Sequence, residues 1–344
     1  MLAALPLLAA GCAVSQPKIP LSRFLAGDVE AVRAFAQKEV DDGAEENLGL
    51  VLAVQGQCEL LQGSGEEARR HLESAGQIMG NWAAGGGEVL GAVVGSEASK
   101  TWKGDPYEKA MLAFYLAFSY LQKGEPDNAR AACKRGLLAD AEVADEKFQV
   151  DNALLAWMAG RFSVLSGATD ADDFFREAAT SHAFALDHGS RGERSARPIA
   201  EPRAGNLVLL LECGMGPEKY GDGAHDEIAK FRPRPHPAVA ARASVDGRSL
   251  GTAAILLDVE YQATTMGGTA MEGIRQGKAV FKSAALIGGG VLLDQARRDR
   301  GDSQRTQAIV GGALVIAGLL TSASADTRHW PTLPSTVQVL TGAV

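Results

Sequence analysis

Residues 117–136 read AFSYLQKGEPDNARAACKRG, and two other stretches superimpose on them without a gap. These are GQCELLQGSGEEARRHLESA at 56–75 and AGRFSVLSGATDADDFFREA at 159–178. Each begins with a small residue, Gly56, Ala117 or Ala159, and twelve positions on stands Ala68, Ala129 or Ala171. Four further come Leu72, Cys133 and Phe175, then Ala75, Gly136 and Ala178 three beyond. Small residues let two helices approach closely, a glycine-containing turn reverses the chain, and the larger side chain fills the space between neighbours. The pattern therefore predicts three helical hairpins.

The hairpin pattern resembles the tetratricopeptide repeat (TPR), with Ala117, Tyr120, Gly124 and Ala129 the best match. Its units start 61 and then 42 residues apart, whereas that family repeats about every 34. GDVEAVRAFAQKEV (27–40) reads as the second helix of a partial leading unit. The fold expected is mainly α: an irregular TPR-like helical array followed by a smaller α+β domain. The resemblance implies a protein or peptide partner held on a concave face. Arg69, Arg70, Lys134 and Arg135 either line such a groove or form a solvated helix face.

Between the first two units lies GNWAAGGGEVLGAVVGSEASKTW, running into WKGDPYEK at 102–109. Asp105 before Pro106 and Glu108, ahead of AMLAFYLAFSYLQ, is a helix start. The aspartate caps free N–H groups, proline suits the first helical position, and the glutamate meets the positive end of the dipole. As an acid–base pair the two carboxylates need a separation of pKa values that nothing in the sequence announces. Trp102, Lys103 and Tyr107 are left without a local task. They either pack the insertion against the helices or, with Trp330, meet a partner.

The chain opens MLAALPLLAAGC, an apolar run ending in small residues before Cys12. A signal peptidase cleft admits little bulk, so residues 1–11 are expected to be a signal peptide. The run resembles a bacterial lipobox, which implies acylation of Cys12. No Lys or Arg precedes the apolar run. Ala13, where an acidic residue would favour inner-membrane retention, points to the periplasmic face of the outer membrane. The 344 residues, 46% of them hydrophobic, suffice for a large core. A net charge of −8 argues mildly against nucleic acid or anionic lipid surfaces as partners. Cys58, Cys133 and Cys213 form no CxxC pair and read as small core residues, and no metal or cofactor is expected.

Residues 12–20 are assigned to a tether, 21–190 to the helical domain and 191–205, turn-rich and polar, to a linker. The α+β domain takes 206–344. Strands are expected at 206–212, in AVAARASVDG (238–247) and in AAILLDVEYQATT (253–265), with a closing strand at 336–340. Gly214 to Pro217, with Lys219 after it, lacks the GxxxxGK[ST] spacing of a phosphate loop and reads as a turn. RPRPHP (232–237) is a stiff spacer. A Gly/Ala-rich helical hairpin is expected at 268–325. Its apolar runs are shorter than the roughly 17–25 residues of a spanning helix, but the second reaches that range when extended through Ala325. Close-packed helices and a membrane hairpin therefore both stand as readings.

Three segments carry a wider resemblance: Trp102/Gly104/Tyr107/Glu108/Lys109, then Gly214/Gly216/Pro217/Lys219, then Ala325/Asp326/Arg328/Trp330/Leu333/Pro334. Together they resemble an uncharacterised family of bacterial lipoproteins with TPR-like N-terminal halves. That resemblance implies an envelope location and points to a scaffold or interaction module in cell-envelope assembly. Two alternatives stand beside it: an envelope enzyme acting on glycan or peptide, and a structural subunit of a secretion or envelope machine. For an enzyme only His182 and His188 near Asp187, and His329 beside Asp326, offer themselves. No catalytic residue is assigned.

Overall fold

The computed structural model describes residues 14–80, 101–140, 151–223, 226, 228–235, 240–266 and 325–344. The protein is mainly α, with about 53% helix among the described residues, followed by a smaller strand-containing region. Helices α1 (Leu21–Leu25) and α2 (Val29–Asp42) lead into three hairpins. The first is α3 (Leu48–Leu61) with α4 (Gly65–Met79), and the second α5 (Pro106–Gln122) with α6 (Pro126–Asp140). The third pairs α7 (Ala153–Ser166) with α8 (Ala171–Asp187).

The two helices of each hairpin are buried differently. Helix α3 is buried without a break from Gly49 to Glu59, α5 from Pro106 to Ala117 and α7 from Ala153 to Gly160. In α4 only Gly65, Ala68, Leu72, Ala75 and Met79 are buried, the single stripe of a helix with one face in water. The close approaches fall at the small positions of the repeat: a Cβ at Gly56 would lie 2.6 Å from Leu72 Cγ. In the third unit the approach to Phe175 is made by Gly160, at 2.6 Å, rather than by Ala159. Cys58 and Cys133 are unpaired core residues, and burial pushes the Cys58 thiol up to about 12.

Gly136 is where the second and third hairpins touch. A Cβ there would stand 2.7 Å from Ala113 Cβ and 2.6 Å from Leu155 Cδ1, on two different helices. Gly136→Val is expected to lower stability by about 1–3 kcal/mol through overpacking. Urea unfolding measures this; an unchanged midpoint would show that the hairpins slide apart without cost.

What covers the buried faces of α3, α5 and α7 is the chain's own C-terminal region. Strands β1 (Leu207–Cys213), β6 (Ala254–Asp258) and β7 (Thr336–Gly342) form an antiparallel sheet in the order β1-β7-β6. Central β7 is buried along its whole length, and Val337 and Val339 join the same hydrophobic cluster as Leu50, Met111 and Trp157. Among the described residues two hairpins join this region: β2 (Glu218–Asp222) with β3 (Ile228–Arg232), and β4 (Arg242–Val245) with β5 (Arg248–Thr252).

The closing strand and the first strand lie where the sequence placed them. The stretch 253–265 does not stay extended: β6 ends at Asp258, and α10 (Val259–Met266) follows. The Asp258 carboxylate accepts from the Glu260 and Tyr261 N–H groups and so starts a helix that β-forming side chains alone would not. Residues 191–205, expected as a linker, are fastened down. The Arg191 guanidinium pairs with the Asp258 carboxylate at 2.5 Å. Trp157 Nε1 donates to the Pro198 carbonyl at 2.8 Å and Arg161 to that of Pro202 at 2.9 Å, across the short helix α9 (Arg197–Ala200). Among the described residues no helix is long and apolar enough to cross a membrane. The expected signal peptide, Cys12, most of the insertion before Trp102 and nearly all of the hairpin expected at 268–325 lie outside the described residues.

Candidate functional site: a buried junction and an open groove

Helix α5 starts as the sequence says, with a capping box. Asp105 holds the N3 position and Glu108 Oε2 accepts from the Asp105 N–H at 2.7 Å. Neither carboxylate is finished by that local task. Lys219 Nζ, carried in by β2, donates to Asp105 Oδ2 at 2.6 Å. Both side chains are about 5% exposed, so this ion pair is out of water. Glu108, wholly buried, accepts through Oε1 from the Trp330 N–H at 2.5 Å.

The tail adds the remaining members. The Arg328 guanidinium, 1% exposed, holds Asp326 at 2.7 Å and donates to the Glu46 carbonyl and Asn47 Oδ1, each at 3.1 Å. The Trp102 N–H donates to the same Glu46 carbonyl at 2.8 Å. The Trp330 indole donates to Gln57 Oε1 at 3.0 Å and to Thr332 Oγ1 at 2.9 Å, while its ring lies 5.5 Å from that of Tyr115. Tyr107 meets Phe231 of β3 edge-on at 5.7 Å. Gly216 has its reason here too: its N–H donates to the Leu333 carbonyl at 2.7 Å, and a Cβ would come within 2.9 Å of that oxygen.

Thus the three sequence segments, Trp102–Lys109, Gly214–Lys219 and Ala325–Pro334, interlock in one buried junction. Trp102, Tyr107 and Trp330 each keep about 2% of their surface. Lys103, half-buried, donates Nζ to the Ile78 carbonyl near the end of α4 at 2.9 Å. All four candidate contact residues are engaged within the chain, and the three aromatic ones are closed to a partner by their burial. Trp102 and Tyr107 are buried, and the insertion they were expected to pack against the helices lies outside the described residues.

Burial gives the junction uneven electrostatics. Loss of water, reinforced by the Asp105 charge, pushes the Glu108 carboxyl up to about 8 against the pull of Lys219 and of the two N–H donors. That shift of Glu108 is created by its tertiary surroundings and not by the helix start itself. Burial also pulls at Lys219, but Asp105, Asp326 and Glu108 outweigh it and hold the ammonium above the usual lysine value. His329 goes the other way: burial draws it down to about 4. Its Nδ1 is 3.0 Å from the Thr327 carbonyl, and Nε2 lies 2.6 Å from the Arg234 guanidinium, which donates to it.

A raised acid pKa and a lowered base pKa have opposite consequences for stability. The Glu108 contribution is complete below about 4.5 and is lost as pH rises through about 8. The His329 contribution is complete above about 6.5 and is lost as pH falls through about 4. Urea midpoints between pH 5 and 9 are expected to fall on the alkaline side in the wild type and to fall less in Glu108→Gln. Parallel profiles would mean that Glu108 is ionised in the folded chain throughout.

The three histidines occupy separate settings. His182 Nε2 is 2.8 Å from the Glu193 carbonyl, and His188, exposed at the end of α8, has Nδ1 2.8 Å from the Phe184 carbonyl. They are not gathered with His329 around one carboxylate cleft. Among the described residues no group of His, Cys, Asp and Glu is arranged to hold a metal ion.

An opening lies elsewhere, between α4, α5 and α6. A cavity of about 380 Å³ has Gly76, Met79, Leu112, Ala113, Leu116 and Gly136 as its apolar wall. Glu73, Gln77, Lys109, Tyr120 and Arg135 supply its polar groups, with the Tyr120 hydroxyl donating to Glu73 at 2.7 Å. Of the four basic residues singled out from the repeat, Arg135 lines it. Arg69 pairs with Glu66 and Glu73, Arg70 with Glu67, and Lys134 sits 5.9 Å from the Phe174 ring. No protein-family model, curated protein or solved structure matches this chain.

Proposed function

We propose that this chain is a periplasmic lipoprotein anchored to the outer membrane through Cys12, acting as a protein-interaction module in cell-envelope assembly. The observation that carries the reading is the groove between α4, α5 and α6, with an apolar wall and a few polar groups, as binding clefts have. The arrangement is TPR-like, with one departure. The faces of α3, α5 and α7, where such arrays hold peptides, are filled by β1, β6, β7 and Trp330. The partner segment is therefore assigned to the groove rather than to the covered face. Its polar rim, with Glu73 and Arg135 of opposite sign, suits an extended peptide carrying small apolar side chains.

Capture from detergent-solubilised envelopes tests this reading with the groove altered. The acylated wild-type chain is expected to retain one stoichiometric protein partner, and Arg135→Glu with Gln77→Arg to lose it by tenfold or more. Arg135 and Gln77 are both exposed, so the fold should tolerate the exchange. A clean monomer, or a partner kept equally by the variant, sinks the groove reading.

A further inference from the structure

The first described residues are bound to the junction. Ser15 gives its carbonyl to Asn47 Nδ2 at 3.0 Å, and Gln16 Oε1 accepts from the His329 N–H at 3.1 Å. Ile19 then enters the hydrophobic core. The tether expected over 12–20 is thus fixed from Ser15 onward, and Ser15 stands three positions after Cys12, with only Ala13 and Val14 between them. A fully extended chain spans about 3.4 Å per residue, so that link reaches only about 10 Å.

The fixed point lies at one end of the helices. Asn47 opens α3, and the Glu46 carbonyl beside it holds both Trp102, ahead of α5, and Arg328. The turns within the hairpins lie at the other end. Gln62 donates to Glu30, Lys123 pairs with Glu66, and Arg130 pairs with Asp170, so these turns are side by side. Helix α3 has 14 residues, which puts the two ends about 21 Å apart.

Resting on the reading of Cys12 as an acylated anchor, we infer that the junction edge of the array faces the bilayer. At that edge exposed Thr327, beside buried Asn47, Arg328 and His329, lies nearest the lipid headgroups. The hairpin-turn edge, with exposed Leu61 and Leu165, points away into the aqueous space. The occupant of the junction edge is a phospholipid surface, because a link this short leaves the folded body no room to turn over. The groove runs from Met79 and Lys109 near the junction end to Tyr120 near the turns, so it extends along the array and away from the bilayer.

The test uses full-length acylated protein reconstituted in phosphatidylethanolamine–phosphatidylglycerol vesicles. A fluorophore is attached at Thr327→Cys or at Leu165→Cys, both exposed, in a Cys213→Ser background. Buried Cys58 and Cys133 stay unlabelled because burial raises both thiols and closes them to reagent. With nitroxide-headgroup lipids, the Thr327 label is expected to be quenched at least threefold more than the Leu165 label. Equal quenching, or stronger quenching at Leu165, overturns the orientation while leaving the anchor intact. Mass spectrometry of the mature N-terminus is read on the same sample, and an unmodified Cys12 overturns both.

Discussion

Lys219→Met is expected to cost about 3–5 kcal/mol of folding stability, because it strands a buried carboxylate without its counter-ion. The reasoning turns on burial: Lys219 and Asp105 sit 2.6 Å apart with about 5% of each side chain exposed. A surface ion pair at the same distance would contribute about 0–1 kcal/mol. Removal of the ammonium also takes away the charge that most favours ionised Glu108, so that carboxyl protonates more readily. Lys219→Met combined with Asp105→Asn removes both charges and is expected to recover most of the loss. Urea unfolding of the two single variants and the double variant gives the coupling directly. A single variant within about 1 kcal/mol of the wild type would mean that water reaches the pair.

Trp330→Ala should be comparably damaging, at about 3–5 kcal/mol, since it empties a large volume in a close-packed interior. The ring fills the space beside Tyr115, and its indole N–H ties the tail to Gln57 of α3. Gln57 in turn donates to the Tyr115 hydroxyl at 2.8 Å and to the Thr332 carbonyl at 3.2 Å, so the loss spreads into a buried network. Trp330→Phe separates the contributions: it keeps an aromatic ring and deletes the donor, with an expected cost of about 1–3 kcal/mol. Equal midpoints for the alanine and phenylalanine variants would refute a packing role for the ring.

Helix α5 shows how much was legible. Its start at Asp105-Pro106-x-Glu108 and its long apolar run are local signals, complete within about a dozen residues. The structure reproduces them down to the capping box. The same holds for the hairpins, where the spacing from Gly56 to Leu72 is set by two helices and one turn. The strand at 336–340 declared itself by alternation and β-forming residues. The start of α10 did not, because Asp258 had to be read as a cap inside a stretch of strand-like side chains. Lys219 was read as the residue after a turn; its partner stands 114 positions earlier, beyond any local pattern.

The sequence by itself determined the hairpins, their turns, the helix start and the closing strand. Each is fixed by periodicity and capping over short separations. Only the tertiary structure decided that the tail fills the faces of α3, α5 and α7, and that Trp102, Tyr107 and Trp330 look inward. It also decided that Asp105, Glu108 and Lys219 share one dry site. The physical reason is the same in each case. A side chain's charge state and accessibility depend on which distant surface covers it, and that choice is made by packing between elements, not within them.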